Sequence, residues 1–180
     1  MNPLARASTF FALYFFTLTV HAEIVRTTIV KTINIDAPVE AVFDYATTAA
    51  NWSEWHPNTL STKGADDHSA TENEQIIETL KFGQLIGPQL FWTVSEHVVP
   101  NKWRIVGGDW LGLIHFDLTY TLALNENGTT HFRRDMIYDM DSNIVGRFNI
   151  FAFKIYNHVM SALALTQLKA AIEAGEIEQE

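Results

Sequence analysis

The segment LIHFDLTYTLALNENGTTHFRRDMIYDM, residues 113–140, decides how this chain folds. Its first half alternates strictly and places Ile114, Phe116, Leu118, Tyr120, Leu122 and Leu124 on one face. Its second half does the same with Phe132, Arg134, Met136 and Tyr138. Alternation of period two marks a strand with one buried face. Glu126-Asn127-Gly128 between them fits a three-residue hairpin loop with Gly128 in the left-handed position. That loop sets Phe116 opposite Tyr138, Leu118 opposite Met136, Tyr120 opposite Arg134 and Leu122 opposite Phe132. Both apolar sets then share a face without adjustment, which is what fixes a register. Arg134 alone breaks the pattern, a charge on an inward face.

Working outward, the preceding segment predicts a second hairpin. PQLFWTVSEHVV and NKWRIVGG flank Pro100-Asn101, a turn signal. A two-residue loop there pairs Val98 with Trp103, Glu96 with Ile105 and Val94 with Gly107. Leu90, Trp92, Val94, Val98, Trp103 and Ile105 then face inward, with Thr93, Ser95, His97, Lys102 and Arg104 outward. QIIETLKFG, 75–83, predicts a strand with Ile76, Glu78, Leu80 and Phe82 on one face, and a polar stretch before it holds a short strand and a loop. RTTIVKTINI, 26–35, is β-branched and predicts the first strand. After it, Pro38 favours the first turn of a helix on which Val39, Val42, Phe43 and Ala46 share a face. NWSEWHPNT, 51–59, predicts a second short helix or turn.

The chain closes with an apolar helical segment that Gly175 is expected to end. Phe148, Phe151, Ile155, Val159, Ala162 and Thr166 form one stripe, widened by Phe153, Tyr156, Met160 and Leu163. Lys154, Asn157, His158 and Ser161 form the opposite, polar face. A sheet with one apolar face needs a cover, and this helix is the element long and apolar enough to supply it. The expectation is an α+β fold: a curved antiparallel sheet of about seven strands wrapped around a long C-terminal helix, with two short helices after the first strand. Such an arrangement leaves space between sheet and helices.

INIDAPVEAVFDYATTAANWSEWHPN, 33–58, resembles the entry segment of the START-like, Bet v 1-like proteins, the polyketide cyclase/dehydrase and lipid transport superfamily. The shared features are a strand, Ala-Pro, an amphipathic helix and a tryptophan-containing turn ending near proline. The resemblance follows element order over about 26–175 and is specific in motif over 33–58. It implies a helix-grip fold with an interior cavity for hydrophobic ligands, and it carries over no catalytic residue.

The N-terminus has the layout of a secretory signal. Arg6 precedes the uncharged run ASTFFALYFFTLTV, 7–20, and VHA offers a cleavage site after Ala22. The run is shorter than the ~20 residues of a spanning helix. The expectation is a signal peptide over 1–22, a single domain over 23–180, a periplasmic or secreted product and no stable membrane span after removal; the alternative is an N-terminal anchor. Cleavage removes one arginine and no acid, so the product is one unit more negative than the −9 of the whole chain. An acidic surface disfavours nucleic acid and anionic headgroups. There is no cysteine, so disulfides and thiolate metal sites are excluded. His56, His68, His97, His115, His131 and His158 show no zinc-type spacing, and no cofactor is called for.

Trp52 and Trp55 read as anchors seating the short helices, with Trp55 also at the cavity mouth; Glu54 and His56 form a weaker acid/base pair, for lack of a third member. Arg134, Tyr120 and Glu78 are expected to form the polar end of the cavity, Glu78 pairing with Arg134 across it, since a buried charge needs a partner. Trp92, Trp103, Phe116, Phe132, Tyr138, Tyr156 and Met160 are lining or core. The function expected is an exported protein holding a hydrophobic small molecule. A cyclase- or dehydratase-type enzyme in the same cavity and an interaction protein with a filled core are the alternatives. The size of the cavity discriminates between an occupied pocket and a packed interior.

Overall fold

A computed structural model describes residues 23–177. The segment read as a signal, 1–22, lies outside them. β1 (Ile24–Ile35) leads into α1 (Val39–Thr47), a single 3₁₀ turn and α2 (Trp52–Trp55). Six strands follow: β2 (Thr59–Gly64), β3 (Gln75–Phe82), β4 (Leu85–Val98), β5 (Lys102–Asp109), β6 (Ile114–Leu124) and β7 (Thr130–Asp141). A short α3 (Ser142–Val145) precedes α4 (Arg147–Ile177). The strands form one antiparallel sheet in the order β1-β7-β6-β5-β4-β3-β2, so the first strand pairs with the last. Among the described residues no helix is long and apolar enough to cross a membrane.

The β6–β7 register is the one the alternation predicts: Phe116 faces Tyr138, Leu118 faces Met136, Tyr120 faces Arg134 and Leu122 faces Phe132. The β4–β5 register differs. Val98 pairs with Lys102, His97 with Trp103 and Val94 with Ile105, with a bulge between Val94 and Glu96. The extra residue reverses the alternation beyond it. Val98 is therefore exposed, and His97 turns inward, where its ring meets Phe43 at 5.5 Å and its Nε2 meets the Ser69 hydroxyl at 3.1 Å. Further bulges interrupt β2–β3 and β3–β4, and they curl the sheet. Gly107 allows the tightest approach: a Cβ there would lie 2.1 Å from the Phe91 carbonyl oxygen and 2.9 Å from the Trp92 ring.

α1 buries Val39, Val42, Phe43 and Ala46 as its spacing predicts. α4 is rotated from its expected setting. The face against the sheet carries Ile150, Ser161, Ala164, Leu165, Leu168 and Ile172, all buried. The stripe Phe148, Phe151, Ile155 and Val159 is exposed instead. Apolar side chains run nearly all round this helix, so hydrophobicity alone does not choose the face. Small Ser161 and Ala164 let the helix approach the curved sheet, and the Ser161 hydroxyl is wanted inside by Arg134. The helix also continues through Gly175 to Ile177.

Candidate functional site

The inner faces of β3, β4, β6 and β7, α2 with the turn after it, and the first half of α4 line a pocket. The cavity itself is about 60 Å³, well under the roughly 300–1,000 Å³ of small-molecule sites, so side chains of the wall must move to admit a ring. Leu80, Phe82, Leu90, Trp92, Phe116, Leu118, Met136, Phe153 and Met160 make most of the wall apolar. The mouth lies at Phe82 and Tyr156, whose rings meet at 6.0 Å, with the Tyr156 hydroxyl donating to Asn58 at 2.7 Å. The deep end is polar: Trp55, His56, Glu78, Tyr120, Arg134 and Ser161.

The hydrogen bonds at the deep end specify their own protons. Glu78, 2% exposed, accepts from the Thr59 hydroxyl at 2.5 Å and from Trp92 Nε1–H at 3.0 Å. Thr59 has one proton, and it goes to Glu78. His56 Nδ1, 3.0 Å from Thr59 Oγ1, must then be the donor of that pair. A neutral His56 protonated at Nδ1 leaves Nε2 to accept from Arg134 Nη2 at 3.2 Å. Arg134 Nη1 donates to Ser161 Oγ at 2.7 Å. A continuous relay therefore runs Arg134–His56–Thr59–Glu78–Trp92, with a cation near one end and an anion near the other. His56 Nδ1 lies 3.6 Å from Glu78 Oε1, too far for a hydrogen bond, so Thr59 carries the link.

Burial works to push the Glu78 carboxyl up, but the pull of His56 when its ring is protonated, with the Thr59 and Trp92 donors, holds Glu78 below its ordinary value. Burial pushes the Tyr120 phenol up, against the pull of the Arg134 guanidinium. Two buried donors of the pocket wall, Arg134 Nε and Trp55 Nε1, have no partner among the described residues.

Of the residues picked out in sequence, Trp55, Glu78, Trp92, Phe116, Tyr120, Arg134, Tyr156 and Met160 line the pocket. Trp103, Phe132 and Tyr138 are buried in the layer behind. Trp103 stacks on Tyr120 at 5.5 Å and donates to the Ala70 carbonyl at 2.8 Å, Phe132 backs Tyr120 at 5.2 Å, and Tyr138 packs edge-on against Phe153 at 5.3 Å. Their place behind the wall follows from the depth of the inner sheet layer: rings nearer its concave surface cover them. Glu78 does not pair with Arg134 directly, because His56 and Thr59 stand between. Glu54 and His56 do not act together either: Glu54 accepts from the Tyr45 hydroxyl at 2.5 Å, outside the pocket. Thr59 and Ser161 are site residues that sequence reasoning missed, and His56 was weighed there only with Glu54. The third member that His56 lacked is Glu78. Trp52 and Trp55 do seat α2, Trp52 through its Nε1–H to the Ala46 carbonyl at 3.1 Å and an edge contact with Trp103.

The family model described as polyketide cyclase / dehydrase and lipid transport matches residues 26–173. No curated protein matches. Among solved structures, the Zhui aromatase/cyclase from Streptomyces sp. R1128 superimposes with a TM-score of 0.69 at 8% identity, covering 83% of this chain and 94% of that one. Norcoclaurine synthase from Thalictrum flavum, solved with dopamine and hydroxybenzaldehyde, gives 0.59 at 11%, covering 87% and 90%. An uncharacterised protein from Rhizobium leguminosarum gives 0.61 at 11%, covering 86% and 99%. At these identities the likeness is one of fold.

Proposed function

This chain belongs to the polyketide cyclase/dehydrase and lipid transport family, and on that premise we propose that it holds a hydrophobic, ring-containing small molecule by an acceptor group at the deep end of the pocket. The observation that carries this is the pair of unpartnered buried donors, Arg134 Nε and Trp55 Nε1, in an otherwise apolar wall. Buried donors are seldom left unpaired. An oxygen acceptor on a ligand that reaches Arg134 would be held by its guanidinium, while the aromatic wall takes the ring. The relay behind Arg134 keeps its other nitrogens engaged, so the guanidinium is held in place before the ligand arrives. Native mass spectrometry of protein purified gently from its host tests the proposal. A co-purifying ring compound with an oxygen acceptor is expected; a purely aliphatic ligand would sink it.

A second, catalytic reading is favoured by one observation. His56 is an imidazole of the pocket wall backed through Thr59 by a buried carboxylate, as a proton-transfer group requires. Turnover of an enolisable aromatic ketone, lost in His56→Phe while binding survives, would select it. Export belongs to the proposal as well, supported by Arg6, the run 7–20 and the VHA site. Sequencing the N-terminus of the protein from its host should give Glu23; a chain beginning at Met1 would remove cleavage from the account.

A further inference from the structure

Acidic residues outnumber lysine and arginine 21 to 12 in this chain, yet β1 (24–35) and α4 from 147 to 172 hold neither aspartate nor glutamate. The two elements lie side by side. Lys31 Nζ meets His158 Nε2 at 2.9 Å, and Lys169 Nζ reaches the Asn34 carbonyl at 2.9 Å. Near the start of both, strand and helix leave a groove of about 300 Å³ between them, larger than the interior cavity and at the lower edge of the roughly 300–1,000 Å³ of small-molecule sites. It shares no lining residue with the interior pocket. Half-buried Val25 and buried Thr27 and Ile150 form its floor, and Phe151, 60% exposed, forms a wall.

The rim of the groove is cationic: Arg26, Arg147 and Lys154 stand against one carboxylate, Glu23. Arg26 is turned to Asp139, to which it donates twice, at 2.8 and 2.7 Å. Arg147 pairs with Glu23 but stays largely exposed, and a guanidinium has five N–H donors to share. Lys154 has no partner among the described residues. Arg147, Phe151 and Lys154 stand at i, i+4 and i+7, on one stripe of α4. The ring therefore has one cation a turn before it and another a turn after it. At a rise of 1.5 Å per residue those two cationic positions are about 10 Å apart along the helix.

From this arrangement we propose that the groove between β1 and α4 binds an elongated aromatic dianion, a flat ring system with one acid group at each end. The ring lies against Phe151 in an offset stack. One acid group meets the Lys154 ammonium and the other the Arg147 guanidinium. Charge complementarity selects two acid groups, because three cations and one carboxylate leave two positive charges for the ligand to match. The interior pocket does not suit this ligand. Its one guanidinium, Arg134, stands at the deep end of an apolar wall, where a second acid group would be buried without a partner. The inference goes beyond the pocket reading and stands if that reading fails.

The probe is naphthalene-2,6-dicarboxylate, and 2-naphthoate is its one-ended counterpart. Each is titrated into nitrogen-15-labelled protein in the form its host produces. Binding is located by the backbone amide resonances of Thr27, Ile150 and Phe151 in the groove and by the indole N–H of Trp92 in the interior pocket. The dicarboxylate should shift the groove amides saturably and leave the Trp92 N–H unmoved. Its affinity there should exceed that of 2-naphthoate by roughly threefold to fivefold, the increment of a second exposed ion pair, and should fall as salt is raised. Lys154→Gln and Arg147→Gln, both at exposed positions, should each bring the dicarboxylate down to the affinity of 2-naphthoate. Phe151→Ser should weaken both probes by roughly 2- to 10-fold, and Arg134→Met should change neither at the groove. Three results overturn the proposal. In the first, the groove amides show no saturable shift. In the second, the dicarboxylate shifts the Trp92 N–H instead and Arg134→Met abolishes this, which places it in the interior pocket. In the third, the groove binds both probes equally, or Lys154→Gln and Arg147→Gln leave the dicarboxylate affinity unchanged.

Discussion

Replacing Glu78 by glutamine tests the relay at the deep end. The carboxylate accepts from two buried donors, Thr59 and Trp92, and donates nothing. Glutamine offers one acceptor oxygen and an amide NH₂. If its oxygen serves Trp92, the NH₂ faces Thr59, whose oxygen already takes the His56 proton, and the threonine proton has no acceptor. If the amide is flipped, Trp92 Nε1–H meets an N–H. Either way one buried donor is orphaned, which costs about 1–3 kcal/mol, and the bond that survives loses its charge assistance. The variant should be about 2–3 kcal/mol less stable at neutral pH. At about 2–4 °C per kcal/mol for a domain of this size, its Tm should fall by roughly 4–12 °C. The pH dependence has a definite sign. Glu78 is held below its ordinary value in the folded state, so its stabilisation is complete above the ordinary carboxylate range. It is lost as pH falls through that range toward the lower folded value. Thermal unfolding from pH 7 to pH 3 should therefore show the gap between wild type and Glu78→Gln narrowing on acidification. A Tm within about 2 °C of wild type at pH 7, or a gap that does not change with pH, would refute the relay; the 2 °C threshold corresponds to at most about 1 kcal/mol.

Ser161→Ala removes the acceptor of Arg134 Nη1 and should destabilise by about 1–3 kcal/mol in chemical denaturation. Gly107→Ala drives a Cβ against the Phe91 carbonyl oxygen; the strand must shift, and a loss of about 3 kcal/mol or more is expected by the same measurement. Asp139→Asn breaks the Arg26–Asp139 pair, in which Arg26 is largely exposed, and should change stability by no more than about 1 kcal/mol, less still in high salt.

The parts of the fold legible in the sequence are those set by local repetition. Strict alternation on both sides of Gly128 determined the β6–β7 register, and with it the meeting of Tyr120 and Arg134. The β4–β5 register was not legible, because a bulge at Ser95 is one unpaired residue in a run whose apolar positions fit either phase, and only packing of His97 against Phe43 and Ser69 decides between them. The face of α4 was hidden for a different reason. Periodicity finds the most apolar side, whereas the sheet-facing side is set by closeness of approach and by Arg134 needing Ser161. Of the helix's described polar residues only Ser161 is buried, where it meets Arg134; its other buried residues are apolar. His56 was legible as a candidate, but with the wrong carboxylate, Glu54. Its partners are Thr59 three positions away, Glu78 on β3 and Arg134 78 positions away, and only the folded chain brings them together.

The central claim is that Arg134 and its relay fix the polar group of a ring-containing ligand. The most direct measurement is calorimetric titration of wild type and Arg134→Met with a matched pair, 2-naphthoate and naphthalene. Wild type should prefer the carboxylate, and the variant should lose roughly 10- to 150-fold in affinity for it, the range set by a hydrogen bond to a charged group of about 1.5–3 kcal/mol. Naphthalene, which makes no call on Arg134, should bind both proteins with affinities within about threefold, a difference of about 0.7 kcal/mol. Equal losses for both compounds, or a carboxylate affinity that Arg134→Met leaves unchanged, would contradict the account.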